Sequence, residues 1–178
     1  MPSLRPALLL AVALTAAFPA VADQAPVASV AAVDLTRYAG KWYEIAAFPM
    51  YFQRHCVGDT TADYTLRPDG GVTVDNRCRT ATGAEHAGGR AWAVEGSGNA
   101  QLKVSFFWPF RSDYWIIGLD ESYRWAVVGN PNRKTLWLLS RTPQLPPAEL
   151  ERALAAARAQ GYDTAGLVFT RHGEATGQ

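Results

Sequence analysis

The sequence predicts an all-β fold, an antiparallel sandwich or a closed barrel. Three observations support it. Short apolar runs recur about every ten residues, turn residues such as Pro-Asp-Gly lie between them, and a helical pattern is found only near the C-terminus. The 178 residues suffice for one domain with a sizeable core.

The N-terminal segment predicts an exported protein. Arg5 precedes an apolar stretch that ends in Ala20-Val21-Ala22, and this pattern is typical of a secretory signal peptide, here residues 1–22. The alternative, an uncleaved membrane anchor, needs roughly 20 apolar residues, and the stretch is shorter. No cysteine lies near the cleavage site, so we expect no lipobox. The expected location is the periplasm or the extracellular space, soluble and at most peripheral to the outer membrane.

The rest of the chain divides into three parts. Residues 23–33 are predicted to be a flexible lead-in, 34–171 the folded domain, and 172–178 a C-terminal tail. Without the signal peptide the chain carries 16 basic and 16 acidic residues. A neutral chain of this kind has no electrostatic basis for binding nucleic acid.

The eight predicted strands are alternating or apolar runs bounded by turn residues. Segment 67–71 (RPDGG) is a turn that makes the second and third strands a hairpin. The strands are predicted over residues 40–49, 62–66, 72–78, 90–95, 102–107, 114–119, 124–129 and 135–140.

One segment, residues 146–162, has the pattern of a helix. Pro147 opens it and Gly161 closes it, where helix ends favour these residues. Leu150, Leu154 and Ala157 form a narrow apolar stripe along it. We therefore expect one α-helix packed against the outside of the sheet, followed by a short final strand over residues 167–171.

The alternation within the strands predicts what the barrel encloses, because every second residue of a barrel strand faces inward. In the predicted strands the charged residues occupy one set of alternate positions. The other set is apolar and aromatic, with a few side chains that end in a polar group. That inward set is Ala62, Tyr64, Leu66, Val72, Val74, Asn76, Leu102, Val104, Phe106, Tyr114, Ile116, Gly118, Trp137 and Leu139. Tyrosine and asparagine tips favour a ligand cavity over the alternative, a fully packed core.

Three sequence blocks resemble the signature blocks of the lipocalins. They are GKWYEI at residues 40–45, LDESYRWAVVG at 119–129 and LWLLSRTP at 136–143. The resemblance implies an eight-stranded antiparallel up-and-down β-barrel with one C-terminal helix packed outside. It covers about residues 34–170 and is closest to the bacterial lipocalins and apolipoprotein D. It implies that Trp42 plugs the closed end of the barrel, that Arg141 lies over its indole in a cation–π contact, and that Gly40 lets the chain enter the barrel floor. Glu44 is expected to point to the same face of its strand as Trp42, and no hydrogen-bonding or ionic partner for its carboxylate can be identified from the sequence.

The two cysteines predict one disulfide, Cys56–Cys78, because an exported chain oxidises such a pair. The hairpin turn supports this pairing, since it places residue 78 opposite about residue 61. The alternative, a free catalytic thiol, requires one of the two to remain unpaired.

The function implied by the resemblance is binding of a hydrophobic small molecule, a fatty acid or a lysophospholipid, with no catalytic residue, metal or cofactor. The residues expected to contact it are Tyr64, Asn76, Val104, Phe106, Tyr114, Ile116, Trp137 and Leu139. Two alternatives use the same cavity: an enzyme that modifies a lipid or pigment, and a binder of haem or toxic aldehydes, for which His55 or His86 is a conceivable haem ligand.

The segment FFWPF predicts a special feature at the open end of the barrel. Phe107, Trp108 and Phe110 lie in the connection between two strands, beside Arg111 and Arg133. Exposed aromatic rings are uncommon on proteins that do not use them. Two interpretations remain: the rings fold inward as a lid, or they form a docking edge that contacts a membrane surface or a partner lipoprotein.

Overall fold

The computed structural model describes residues 24–173. The predicted signal peptide, residues 1–22, and most of the predicted tail, residues 174–178, lie outside this range. Within it, no helix has the length and apolar character that crossing a bilayer requires.

The described chain forms a closed antiparallel barrel, so the predicted fold is confirmed. Hydrogen-bonded neighbours follow the order β2-β3-β4-β5-β6-β7-β8-β1-β9, and β1 also pairs with β2, which closes the barrel. The elements are α1 (Leu35–Tyr38), β1 (Gly40–Ala47), β2 (Gly58–Leu66), β3 (Val72–Arg79), β4 (Ala84–Ala93), β5 (Gln101–Ser105), β6 (Ser112–Leu119), β7 (Trp125–Gly129), β8 (Leu136–Ser140), α2 (Pro147–Ala159) and β9 (Val168–Phe169).

The short helix α1 was not predicted, and it lies at the closed end of the barrel. Asp34 caps it, because its side chain accepts hydrogen bonds from the backbone N–H groups of Thr36 and Arg37. After the helix, Gly40 has φ of 88°, a conformation that glycine adopts without strain. Tyr38, the last residue of the helix, lies inside the barrel and is 2% exposed.

The helix α2 packs outside the barrel as expected, against β6 and β7. Its central contact residues are Ala153 and Ala157, which are completely buried, while Leu150 and Leu154 are half-buried beside them. The close approach depends on Gly118 in β6, since a Cβ atom there would lie 2.9 Å from Ala156 Cβ.

Gly118 corrects one expectation from the alternation, which assigned it to the inner face. A β-bulge between Ile116 and Gly118 shifts the register, so Gly118 faces α2. Because the bulge inserts an extra residue, the positions that face inward and outward are exchanged beyond this point of the strand.

Residues 24–33 pack against the barrel, in contrast to the expected flexible lead-in. Val27 and Val33 are buried. The Val30 N–H donates to the Ile116 carbonyl at 2.9 Å, and the Val33 N–H donates to the Gly98 carbonyl at 2.8 Å. Buried apolar side chains and backbone hydrogen bonds hold the segment against the barrel.

The C-terminal segment fills a gap in the sheet near the open end. β1 pairs with β2 only through Gly40 to Tyr43, and further on it pairs with β9 through Ala46 and Ala47. The segment also reaches β2, since the Asp59 N–H donates to the Arg171 carbonyl at 2.8 Å. The predicted final strand therefore exists, but it is only two residues long.

Candidate functional site

The barrel encloses a cavity of about 600 Å³ that opens at one end. The side chains that line it come mainly from β2, β3, β4, β5, β6 and β8. Most are apolar, and they include Ala62, Leu66, Val72, Val74, Leu102 and Leu139. A volume of this size falls in the range of pockets that bind small organic ligands.

Seven of the eight residues expected to contact a ligand line this cavity: Tyr64, Asn76, Val104, Phe106, Tyr114, Trp137 and Leu139. The eighth, Ile116, does not. It is completely buried in the inner apolar cluster, so it fills the core behind the cavity wall. Phe106 lies near the opening, 39% exposed, with its ring packed over Gly89.

Trp42 and Arg141 lie together at the closed end. Trp42 is 0% exposed, and the Arg141 guanidinium carbon lies 3.8 Å from the centroid of its ring. The guanidinium also donates to the carbonyls of Lys41 at 2.8 Å, Arg37 at 2.6 Å and Tyr38 at 3.1 Å. Arg141 thus binds α1 to the start of β1, in a position to support the floor of the cavity from below.

Three tyrosine hydroxyls meet at the floor of the cavity. The Tyr114 hydroxyl lies 2.8 Å from that of Tyr38 and 2.9 Å from that of Tyr64. Burial raises the pKa of Tyr64 to about 12, and it raises the pKa values of Tyr38 and Tyr114 well above their usual range. The three phenols therefore stay neutral at physiological pH, and they offer hydrogen bonds without charge in an apolar surrounding.

Two further polar atoms of the cavity wall are buried without a hydrogen-bond partner among residues 24–173. They are Asn76 Oδ1 and Thr135 Oγ1. A buried oxygen without a partner is costly, so both atoms are available to a ligand or to water.

The disulfide Cys56–Cys78 is present, with its Cα atoms 5.5 Å apart, which confirms the predicted pairing. Thr61 pairs with Arg77, so the hairpin register is within one residue of the predicted one. Both cysteines border the cavity near the opening. The bridge ties the loop that follows β1 to β3 and so holds one side of the opening in place.

The Glu44 carboxylate has two hydrogen-bond partners that could not be identified from the sequence. Its Oε2 accepts a hydrogen bond from Gln53 Nε2 at 2.9 Å, and its Oε1 accepts one from Thr170 Oγ1 at 2.6 Å. Gln53 belongs to a short 3-10 turn, Tyr51–Gln53, beside the opening, and Thr170 directly follows β9. The carboxylate is 8% exposed and borders the cavity.

Aromatic rings surround the opening, and we call this group the aromatic rim. Phe107, Trp108 and Phe110 are 80%, 82% and 77% exposed, and across from them Tyr51 and Phe52 are 78% and 67% exposed. Phe107, Phe110 and Phe52 also border the cavity. The rings extend into solvent around the opening and do not close over it, so the lid interpretation does not describe this conformation.

The two arginines expected beside the rim are engaged elsewhere. Arg133 Nε donates to the Gln160 carbonyl at 2.7 Å, and its Nη2 donates to the Ala25 carbonyl. Arg111 lies over the ring of Trp92, with its guanidinium carbon 5.7 Å from the centroid. Arg133 thus joins the N-terminal segment to the end of α2.

The two histidines considered as haem ligands lie at or outside the opening. His86 borders the cavity, but its Nε2 lies 3.2 Å from Asp75 Oδ1. His55 is exposed, and its Nε2 accepts a hydrogen bond from Arg54 Nε at 3.1 Å.

The main residue that sequence reasoning missed is Tyr38. It lies outside every predicted strand, so the alternation does not reach it. A local signal was available, since Asp34 before a Leu-Thr-Arg-Tyr run is a helix N-cap pattern. Gln53 and Thr170 carry no comparable signal, because they contact Glu44 only through the folded chain.

Comparison with known proteins agrees with this geometry. A family model described as a Lipocalin-like domain matches residues 33–172. The Outer membrane lipoprotein Blc of Escherichia coli strain K12 is 39% identical over 169 residues, 91% of this chain and 95% of that protein. Apolipoprotein D of Bos taurus is 34% identical over 123 residues, 64% of each chain. Insecticyanin of Manduca sexta shares the fold, with a TM-score of 0.69 at 19% identity over 84% of this chain and 86% of that structure.

Proposed function

Because this chain belongs to the lipocalin family, for which binding of small hydrophobic ligands is the general activity, we propose that its ligand is a fatty acid or a lysophospholipid. The observation that carries the proposal is the apolar cavity of about 600 Å³ with one opening. Such a cavity favours a long acyl chain in the interior, since apolar surface is removed from water. The polar head of the ligand then lies toward the opening.

The proposed setting is the bacterial envelope. The relative from Escherichia coli is named an outer membrane lipoprotein, and it matches nearly the whole of this chain. An exported lipid binder in that compartment would carry or store single-chain lipids between membrane surfaces. We propose binding without catalysis, because the polar groups at the cavity floor are neutral phenols that donate hydrogen bonds.

Trp137 provides the test of cavity binding. It is half-buried on the cavity wall, so a palmitate molecule in the cavity should change its fluorescence, and Trp137→Phe should remove most of that change. Trp92→Phe is the control, because this ring lies on the outer wall of the barrel over which Arg111 stacks. A palmitate signal that survives in Trp137→Phe would contradict the proposed position of the ligand.

The aromatic rim supports a second part of the proposal, contact with a lipid surface during transfer. Lipid that enters the cavity must pass the rim, and its rings are more than two-thirds exposed. Tryptophan and phenylalanine partition favourably into the interface of a bilayer. We therefore assign Phe107, Trp108 and Phe110 to transient contact with the membrane from which lipid is taken or to which it is delivered.

Replacing both Trp108 and Phe110 with Ser should weaken binding to phospholipid vesicles by about tenfold or more, since two exposed rings no longer insert. Transfer of a fluorescent fatty acid between vesicles should slow, while the Kd for free palmitate in solution should change less than about twofold. Trp92→Ser, which removes a ring from the barrel wall, should leave vesicle binding unchanged. If palmitate affinity falls and vesicle binding does not, the rings act on the ligand and not on the membrane.

A further inference from the structure

Glu44 is a buried charged group of the cavity wall that the proposed function leaves unexplained. Its two side-chain partners, Gln53 and Thr170, are neutral donors. Among residues 24–173, no Lys, Arg or His side chain forms an ion pair with it. A carboxylate that is 8% exposed and has no cationic partner is costly to keep in a protein.

The carboxylate also has unused hydrogen-bonding capacity. An ionised carboxylate offers about four acceptor positions, and two of them are occupied. Its charge acts on the cavity interior as well. Desolvation is the main cause of the raised pKa of Tyr64, and the negative charge of Glu44 adds to it.

Glu44 lies near the opening of the cavity, at the depth where the headgroup of a bound lipid would lie. Gln53, Cys56 and Thr60 border the cavity with it, and they adjoin the loop and the disulfide at the opening. The apolar interior and the tyrosine floor lie beyond it, toward Trp42. An acyl chain that fills the interior therefore places its polar head beside this carboxylate.

We propose that Glu44 is a headgroup site that selects single-chain lipids with an ammonium group over simple fatty acids. The inference rests on the proposed function and names the head chemistry of its ligand. A primary ammonium would donate to the free acceptor positions of the carboxylate in a charge-assisted hydrogen bond. A fatty acid would bring a second negative charge to the same place, and like charges in a site with little water repel strongly.

Calorimetric titration with four probes of one chain length tests this, at concentrations below those at which they form micelles. The probes are hexadecylamine, palmitoyl lysophosphatidylethanolamine, hexadecanol and palmitate. In the wild-type protein hexadecylamine should bind about tenfold more tightly than hexadecanol, which has a neutral head of similar size. In Glu44→Gln this preference should disappear, and palmitate should bind more tightly than in the wild-type protein.

Glu85→Gln is the matched control, because Glu85 also borders the cavity but is exposed to solvent at the opening. It should leave all four affinities within about twofold of wild type, since exposed charges are screened. If hexadecylamine loses its preference in Glu44→Gln, the ammonium site stands, and a parallel loss for the lysophospholipid shows that the site also accepts the ammonium group of a phospholipid head. An unchanged preference in Glu44→Gln, or an equal loss in Glu85→Gln, overturns the proposal.

The wild-type comparison of amine with alcohol keeps the test valid if Glu44→Gln does not fold, since equal affinities for the two also overturn it. Failure of the proposed function looks different: none of the four probes would bind the wild-type protein.

Discussion

Removing the Cys56–Cys78 bridge is expected to lower the free energy of unfolding by about 3 kcal/mol. The two cysteines are separated by 22 positions, and opening a loop of this length restores conformational entropy to the unfolded chain. The double variant Cys56→Ala/Cys78→Ala should therefore unfold at a lower urea concentration than the wild-type protein. The slope of the transition should rise slightly, because the unfolded chain is less compact without the crosslink.

Reduction of the wild-type protein is the control that changes no residue. Reduced wild type and the double alanine variant should have similar unfolding free energies, and the variant should not respond to reductant. A loss below about 1 kcal/mol would show that the native contacts of the hairpin, and not the crosslink, set the stability of this region.

Replacing Arg141 with Ala is expected to lower the free energy of unfolding by about 2–4 kcal/mol. The stack on Trp42 alone accounts for about 0.5–2 kcal/mol. The structure adds hydrogen bonds to the carbonyls of Arg37, Tyr38 and Lys41, and hydrogen bonds from a charged donor contribute more than neutral ones. Urea unfolding followed by circular dichroism measures the loss.

Two variants sharpen the interpretation of Arg141. Arg141→Lys should recover only part of the loss, because an ammonium cannot reach several carbonyls and cover the indole at the same time. Arg152→Ala, at an exposed position of α2, should change stability by less than about 0.5 kcal/mol. The relative affinities of Arg141→Ala for the four lipid probes should match those of wild type, since Arg141 lies beneath the floor. An altered preference at normal stability would place Arg141 in the binding site.

Much of the barrel could be predicted because its signals are local. The RPDGG turn, the alternation in residues 62–66 and 72–78, and Pro147 with Gly161 around α2 each depend on neighbours in the chain. The inward position of Tyr64 and Val104 follows from the same alternation, since successive side chains of a strand point to opposite faces. Where a bulge breaks the alternation, at Gly118, the local rule gave the wrong face.

By itself the sequence determined the antiparallel strands, the outer helix, the disulfide and most of the cavity wall, because strand period, turn chemistry and cysteine number are readable in short windows. Closure of the strands into a barrel was expected from the three lipocalin-like blocks. Only the tertiary structure decided that Tyr38 joins Tyr64 and Tyr114 at the floor, and that Gln53 and Thr170 hold Glu44 beside the opening. Thr170 lies 126 positions from Glu44 along the chain, and Tyr114 lies 76 positions from Tyr38. Contacts over such separations depend on where barrel closure places each strand, and no local pattern records that.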